Sequence, residues 1–129
     1  MNRDPQFGPL LMFGLGGIFV EVMEDTTFRV APVSESEAKE MTREVKSASL
    51  LRGARGRDPV DVDGVVETVQ RLSQLVTDFP AIVELDVNPL VALPEDGGDA
   101  DTESDGRGVA AVDVALTVDP EELDRKSVV

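Results

Sequence analysis

A chain of 129 residues carrying 26 acids against 12 bases, formal charge −14, is one domain's worth of protein and lacks the basic footprint that nucleic acid requires. It contains no cysteine or histidine, which excludes disulfides, thiolate metal sites and any phosphohistidine borne by the chain itself. No stretch approaches the ~20 apolar residues of a membrane helix and the N-terminus lacks a signal-peptide layout, so the expectation is a soluble, cytoplasmic protein.

The apolar run Leu10 to Phe13, bounded by Gly8-Pro9 and by Gly14-Leu15-Gly16-Gly17, reads as a strand. Ile18 to Met23 reads as a second, and Thr27 to Val30, after a turn at Glu24-Asp25, as a third. Such spacing predicts an antiparallel meander. A helix is expected to open at Ser34, which can cap it. Glu37 completes a capping box, and Val33 lies where it can touch Ala38. Ala38, Met41 and Val45 fall on one side of that helix.

Beyond the loop 52–59, Asp61 can cap a second helix. Its apolar positions Val62, Val65, Val66, Val69, Leu72, Leu75, Val76 and Phe79 keep helical spacing until Pro80 ends the pattern. Next come two strand-like segments, Glu84 to Leu90 and Val109 to Leu116, separated by an excursion over 94–107 that holds six acids. That excursion fits no calcium-loop spacing and reads as a solvated loop; residues 119–129 read as a polar tail. Nine arginines with only three lysines on so acidic a chain look like a halophilic surface, where charge serves solubility. The expected architecture is α+β, an antiparallel sheet with both main helices on one face.

Chemistry concentrates in the two late strands. Alternation places Val83, Leu85 and Val87 on one face and Glu84, Asp86 and Asn88 on the other. A symmetric hairpin around the acidic loop makes partner positions sum to 201, which sets Asn88 opposite Asp113. Two carboxylates and an amide oxygen on one surface suit a hard cation such as Mg2+ that also takes phosphate ligands. The plain alternative is a polar sheet face with an Asn-Pro turn. Against it, Asp113 interrupts an otherwise apolar run, where burial costs energy unless the acid is exposed or paired with a cation.

Elsewhere the signals are weaker. Gly14-Leu15-Gly16-Gly17 lacks the Lys-Ser/Thr ending of a phosphate loop and reads by itself as a turn. Arg52, Arg55 and Arg57 form a basic cluster that either offsets nearby acids or captures phosphate or carboxylate. Arg29 faces away from its neighbours Phe28 and Val30, and ion pairing is its default role.

Taken together these segments resemble a known family. The run from Asp4 to Val22, the segment Phe28-Arg29-Val30-Ala31-Pro32, the loop Gly53-Ala54-Arg55-Gly56 and the strand Glu84 to Leu90 recur in this order in the ATP-grasp domain of ADP-forming acyl-CoA synthetases, the acetate–CoA ligase family. The resemblance covers about residues 4 to 117. More distantly, Asn88-Pro89-Leu90 and Asp113 resemble the end of the succinyl-CoA synthetase β-subunit. It implies Mg2+ ligation by Asn88 and Asp113, with Asp86 at the phosphoryl-transfer site and sharing the metal. It further implies a catalytic part for Arg55 and nucleotide contacts from Gly16, Gly17, Glu21 and Arg29. The implied cofactors are Mg2+ and ATP or ADP, and the implied reaction is acyl-CoA + ADP + phosphate ⇌ carboxylate + CoA + ATP. An ATP-grasp domain clamps nucleotide between two subdomains, and the first should precede Asp4. The chain is therefore expected to be the C-terminal subdomain of that fold, inactive alone. Its expected partners are the complementary ATP-grasp half and a subunit or domain carrying the CoA site and the phosphohistidine. The alternative is an idle remnant or an interaction module that keeps the fold.

Overall fold

The computed structural model describes residues 1–15, 25–53, 56, 59–94 and 108–126, leaving aside the side chains of 124–126. Two charged residues, Arg3 and Asp4, lie within a strand that no sequence pattern marks. β1 (Asn2–Asp4) is held by neighbours on both sides, pairing antiparallel with β2 (Gly8–Gly14) and with β4 (Ile82–Val87). The turn into β2 is organised by the Asp4 carboxylate, which accepts from the N–H groups of Gln6 and Phe7 at 2.8 and 2.9 Å. Gly8 closes the turn at φ 86°, a conformation that a side chain would strain. β3 (Thr26–Val30) pairs antiparallel with β2, as the spacing predicts. The expected strand Ile18 to Met23 lies outside the described residues.

The helices follow the caps. α1 (Glu35–Glu44) starts at Ser34, whose hydroxyl accepts from the Glu37 N–H at 3.2 Å. Ala38 and Met41 on α1, and Val45 just after it, are buried as expected. A short α2 (Ala48–Leu51) leads into α3 (Val62–Asp78), where Asp61 caps Gly64 N–H at 2.9 Å. Val65, Val66 and Val76 are buried, and Val69 and Leu72 pack against the core. Leu75 and Phe79 stand out at the helix margin, so the apolar stripe is wider than the surface that covers it. A polar connection is also satisfied here: the buried Ser73 hydroxyl accepts from Val33 N–H at 2.7 Å, joining α3 to the chain entering α1.

All strand pairings among the described residues are antiparallel. The five-stranded sheet runs β3-β2-β1-β4-β7, where β7 is Val114–Val118, and a separate ribbon pairs β5 (Leu90–Ala92) with β6 (Val109–Ala111). α1 and α3 lie on one face, and Leu11, Val33, Met41, Val66, Val76, Ile82 and Leu85 form the core between the layers. This is the expected antiparallel sheet carrying its main helices on one side. A register shift between Ile82 and Glu84 alters the simple alternation: Ile82 and Leu85 are both buried, and Val83 becomes the extra residue of a bulge. The polar stretch read as a tail instead begins with a helix, α4 (Pro120–Lys126). Asp119 opens it by accepting from Glu121 N–H at 3.0 Å.

Arg3 ties sheet to helix. Its guanidinium donates to the carbonyl oxygens of Val76 and Ile82 at 3.0 Å each, placing a cation at the C-terminal end of α3 where the helix dipole favours one.

Candidate functional site

Proline breaks the ladder at the centre of the site. Pro89 has no N–H to donate, the Asn88-Pro89 peptide is cis, and β4 ends at Val87. Opposite, Val112 and Asp113 separate β6 from β7. The two segments nevertheless form one antiparallel arm with a kink. Glu84↔Thr117, Leu85↔Leu116, Asp86↔Ala115 and Val87↔Val114 pair before the kink, and Leu90↔Ala111, Val91↔Ala110 and Ala92↔Val109 after it. Each of these pairs sums to 201, the register of the symmetric hairpin. At the kink itself Asn88 N–H donates to the Asp113 carbonyl at 3.0 Å, and Val112 N–H donates to the Pro89 carbonyl at 3.1 Å. Asn88 therefore lies opposite Asp113.

Face assignment follows from the same pairs. The Thr117 hydroxyl donates to Glu84 Oε2 at 3.3 Å, which fixes Glu84 and Thr117 on one side of the sheet. Leu85 between Glu84 and Asp86 is buried under the helices, so Glu84 and Asp86 belong to the open face. Directly opposed residues bring their Cβ atoms to about 5 Å, and alternate residues on a strand are about 7 Å apart. Asp86, Asn88 and Asp113 are all exposed. Asp113 is thus solvated in a break between strands, not buried within one. Its exposure requires no cation, so Asp113 contributes to a site only through its donor oxygens and its register opposite Asn88.

That donor set is oxygen only: two carboxylates and an amide. Among the described residues no group of three acidic, histidine or cysteine side chains is placed to hold an ion.

The remaining candidates separate from this cluster. Arg29 pairs across the sheet with buried Leu11, on the helix-bearing side, and its guanidinium is bound by Glu44 of α1 with Glu40 3.6 Å away. Glu44 in turn accepts from the Thr27 hydroxyl. The hydrogen bond and charge of Arg29 hold the Glu44 carboxyl below its ordinary range. The structure therefore gives Arg29 the ion-pairing role and does not bring it to the face of Asp86. Gly16, Gly17, Glu21 and Arg55 lie outside the described residues.

One further contributor escaped the sequence reading. Asp25 is buried, and its carboxylate accepts from the N–H groups of Lys46 and Ser47 and from the Ser47 hydroxyl, anchoring the entry to β3 at the α1–α2 junction. The hydroxyl bond foremost, then the backbone donors, lower its pKa against the opposing effect of burial. A turn acid gave no sign of this.

Comparison with known proteins agrees with the fold and covers the site. Residues 1–118 match the ATP-grasp domain family. The chain is 51% identical over 90 residues to an ADP-forming acetate–CoA ligase I of Archaeoglobus fulgidus, covering 70% of this chain and 13% of that protein. It is 49% identical over 95 residues to the ADP-forming acetate–CoA ligase I subunit beta of Pyrococcus furiosus, covering 74% of this chain and 41% of the subunit. Among solved structures, the dinucleotide-forming acetyl-coenzyme A synthetase 1 of Ca. Korarchaeum cryptofilum, in complex with coenzyme A and Mg-AMPPCP, superposes with a TM-score of 0.76 at 41% identity. That match covers 91% of this chain and 49% of the other. The chain spans half or less of the length of each of these relatives. With a family match over residues 1–118 and an antiparallel sheet that bears the expected helices on one face, the chain belongs to the ATP-grasp domain family.

Proposed function

We propose that this chain is the metal-binding subdomain of an ATP-grasp domain in an ADP-forming acyl-CoA synthetase. The reaction is acyl-CoA + ADP + phosphate ⇌ carboxylate + CoA + ATP. The observation that carries the reading is the register that sets Asn88 against Asp113 at the kink, with Asp86 two residues before Asn88 and all three exposed. The donor chemistry fits Mg2+, which takes hard oxygen ligands, keeps several waters and completes its shell with substrate phosphates. Asn88 and Asp113 supply the protein ligands, and Asp86 contributes a carboxylate beside the transferring phosphoryl group. When bound, the ion supplies charge neutralisation between phosphate oxygens, the main catalytic requirement of phosphoryl transfer. Two carboxylates in water hold a hexahydrated cation weakly, so these residues are assigned to a nucleotide complex and not to a free ion.

The relatives' lengths support a partner in this reading. A complementary ATP-grasp half closes over the face of Asp86, Asn88 and Asp113, and a subunit or domain carrying CoA and a phosphorylated histidine supplies what a histidine-free chain lacks. The segments holding Gly16, Gly17, Glu21 and Arg55 are assigned to nucleotide and phosphate contacts on the family resemblance.

The test is reconstitution. The chain is combined with a polypeptide supplying those parts, and ATP formation from acetyl-CoA, ADP and phosphate is measured. Asp113→Asn keeps the shape of the side chain and removes a ligand charge. It is expected to cut turnover by more than the about 10–100-fold lost when an outer partner of a metal ligand is removed, with an unchanged melting temperature. Full activity in Asp113→Asn overturns the site. No association with the complementary half favours the reading of an idle remnant.

A further inference from the structure

The β5–β6 ribbon is the weakest element that touches the site. Two short strands outside the main sheet are marginal by themselves. Three residues of β5 separate the kink at Asn88 and Pro89 from Leu93, where the ribbon meets the body of the protein. At that far end Asp61 N–H donates to the Leu93 carbonyl at 3.0 Å, Leu93 N–H donates to the Gly108 carbonyl, and Val60 bridges Pro94. The Asp61 carboxylate is shared between two elements. Oδ1 accepts from Gly64 N–H in the first turn of α3 at 2.9 Å, and Oδ2 accepts from Gly108 N–H at 3.0 Å. The packing leaves no slack around it. A Cβ at Gly64 would sit 2.5 Å from Asp61 Oδ2 and 3.1 Å from Val109, and one at Gly108 would sit 3.2 Å from Leu93.

A helix cap uses one oxygen. Here the second oxygen ties down the strand that returns to Asp113. We propose that Asp61 is a positioning residue: by joining α3 to the base of the ribbon it sets the relative placement of Asn88 and Asp113 at the other end. The inference rests on the reading that those two side chains share a cation. Its geometric content is measurable without one.

Residual dipolar couplings of backbone N–H groups in the full chain test it. In Asp61→Asn the amide oxygen still caps α3, Asn being as good a cap as Asp. The amide nitrogen then meets Gly108 N–H donor to donor. The expected result is that couplings in 90–92, 109–111, Asn88 and Asp113 shrink, while those of α3 and β1–β4 keep their wild-type values. Asp61→Ala, which loses both bonds, should go further; if it fails to fold, the Asn variant still decides. Wild-type couplings at the ribbon and at Asn88 and Asp113 in Asp61→Asn overturn the proposal, as does uniform loosening of α3 with the ribbon.

A separate titration with Mn2+ and AMPPCP, on the chain joined to its complementary half, addresses the reading beneath. Localised paramagnetic broadening at 86–88 and 112–114 is expected in the wild type. In Asp61→Asn the Mn2+ concentration needed should rise about 10-fold, the lower end of what an orienting partner contributes at metal sites. Absence of broadening in the wild type refutes the shared cation, and an unchanged Mn2+ requirement in Asp61→Asn refutes the positioning role.

Discussion

At the scale of residues, three acids do different work according to where the fold places them. Asp25 is buried and saturated with donors, Asp61 joins two elements, and Asp113 stands in solvent opposite Asn88. The Asp25 carboxyl is held below its ordinary range chiefly by the Ser47 hydroxyl, so the folded state prefers it ionised. A depressed folded value contributes stability above the unfolded pKa of about 3.9, lost as pH falls through that value towards the folded one. In melts from pH 6 to pH 3, Asp25→Asn should therefore lower stability at pH 6 and flatten the acid limb. An acid limb as steep as the wild type's would show that this carboxylate is not responsible. On the open face the three site residues should separate kinetically in a reconstituted enzyme. Asn88→Ala is expected to raise the Mg2+ requirement. Asp86→Asn should slow phosphoryl transfer by about 10-fold or more, with little change in nucleotide affinity, if its carboxylate acts beside the reacting group. Equal effects on KM and turnover from all three would contradict distinct roles.

Elements differ in how far local sequence specified them. α3 was legible because its period, its Asp61 cap and its Pro80 stop agree, and α1 because Ser34 and Glu37 mark its start. The hairpin register was legible from symmetry alone, and with it the opposition of Asn88 and Asp113. β1 was not legible: Asn2, Arg3 and Asp4 carry no pattern, and their strand exists because β2 and β4 pair with it from either side. The bulge at Val83, the burial of Asp25 and the exposure of Asp113 likewise depend on contacts distant in the chain. Arg29 was legible in part: alternation turned it away from Phe28 and Val30 and made ion pairing its default role, but that Glu44 of α1 is the partner depends on packing. Packing makes its own prediction here. Met41 is fully buried between α1 and the sheet, whereas Leu75 on α3 is 37% exposed. Met41→Ala should lower unfolding free energy in urea by about 2–5 kcal/mol and Leu75→Ala by well under that. Equal losses would place the core elsewhere.

For the molecule as a whole, a charge of −14 acts against a fold built of short strands and two main helices. Screening reaches ~10 Å at 0.1 M salt and further when dilute, so self-repulsion should be strongest in dilute buffer. The melting temperature is expected to rise between dilute buffer and molar KCl; a flat response would show that the acidic surface is neutral for stability. Among the described residues the helices cover the β1, β2 and β4 part of the sheet, while Leu116 of β7, paired with buried Leu85, is half exposed, and Glu84, Asp86, Asn88 and Asp113 are exposed. On the proposed function, Asn88 and Asp113 hold the cation of a nucleotide complex. Anomalous scattering tests it most directly, with crystals of the chain joined to its complementary half grown with Mn2+ and AMPPCP. The expected result is an anomalous peak bonded to the Asn88 amide oxygen, the Asp113 carboxylate and the nucleotide phosphates. A nucleotide-bound peak with neither Asn88 nor Asp113 among its ligands would contradict it.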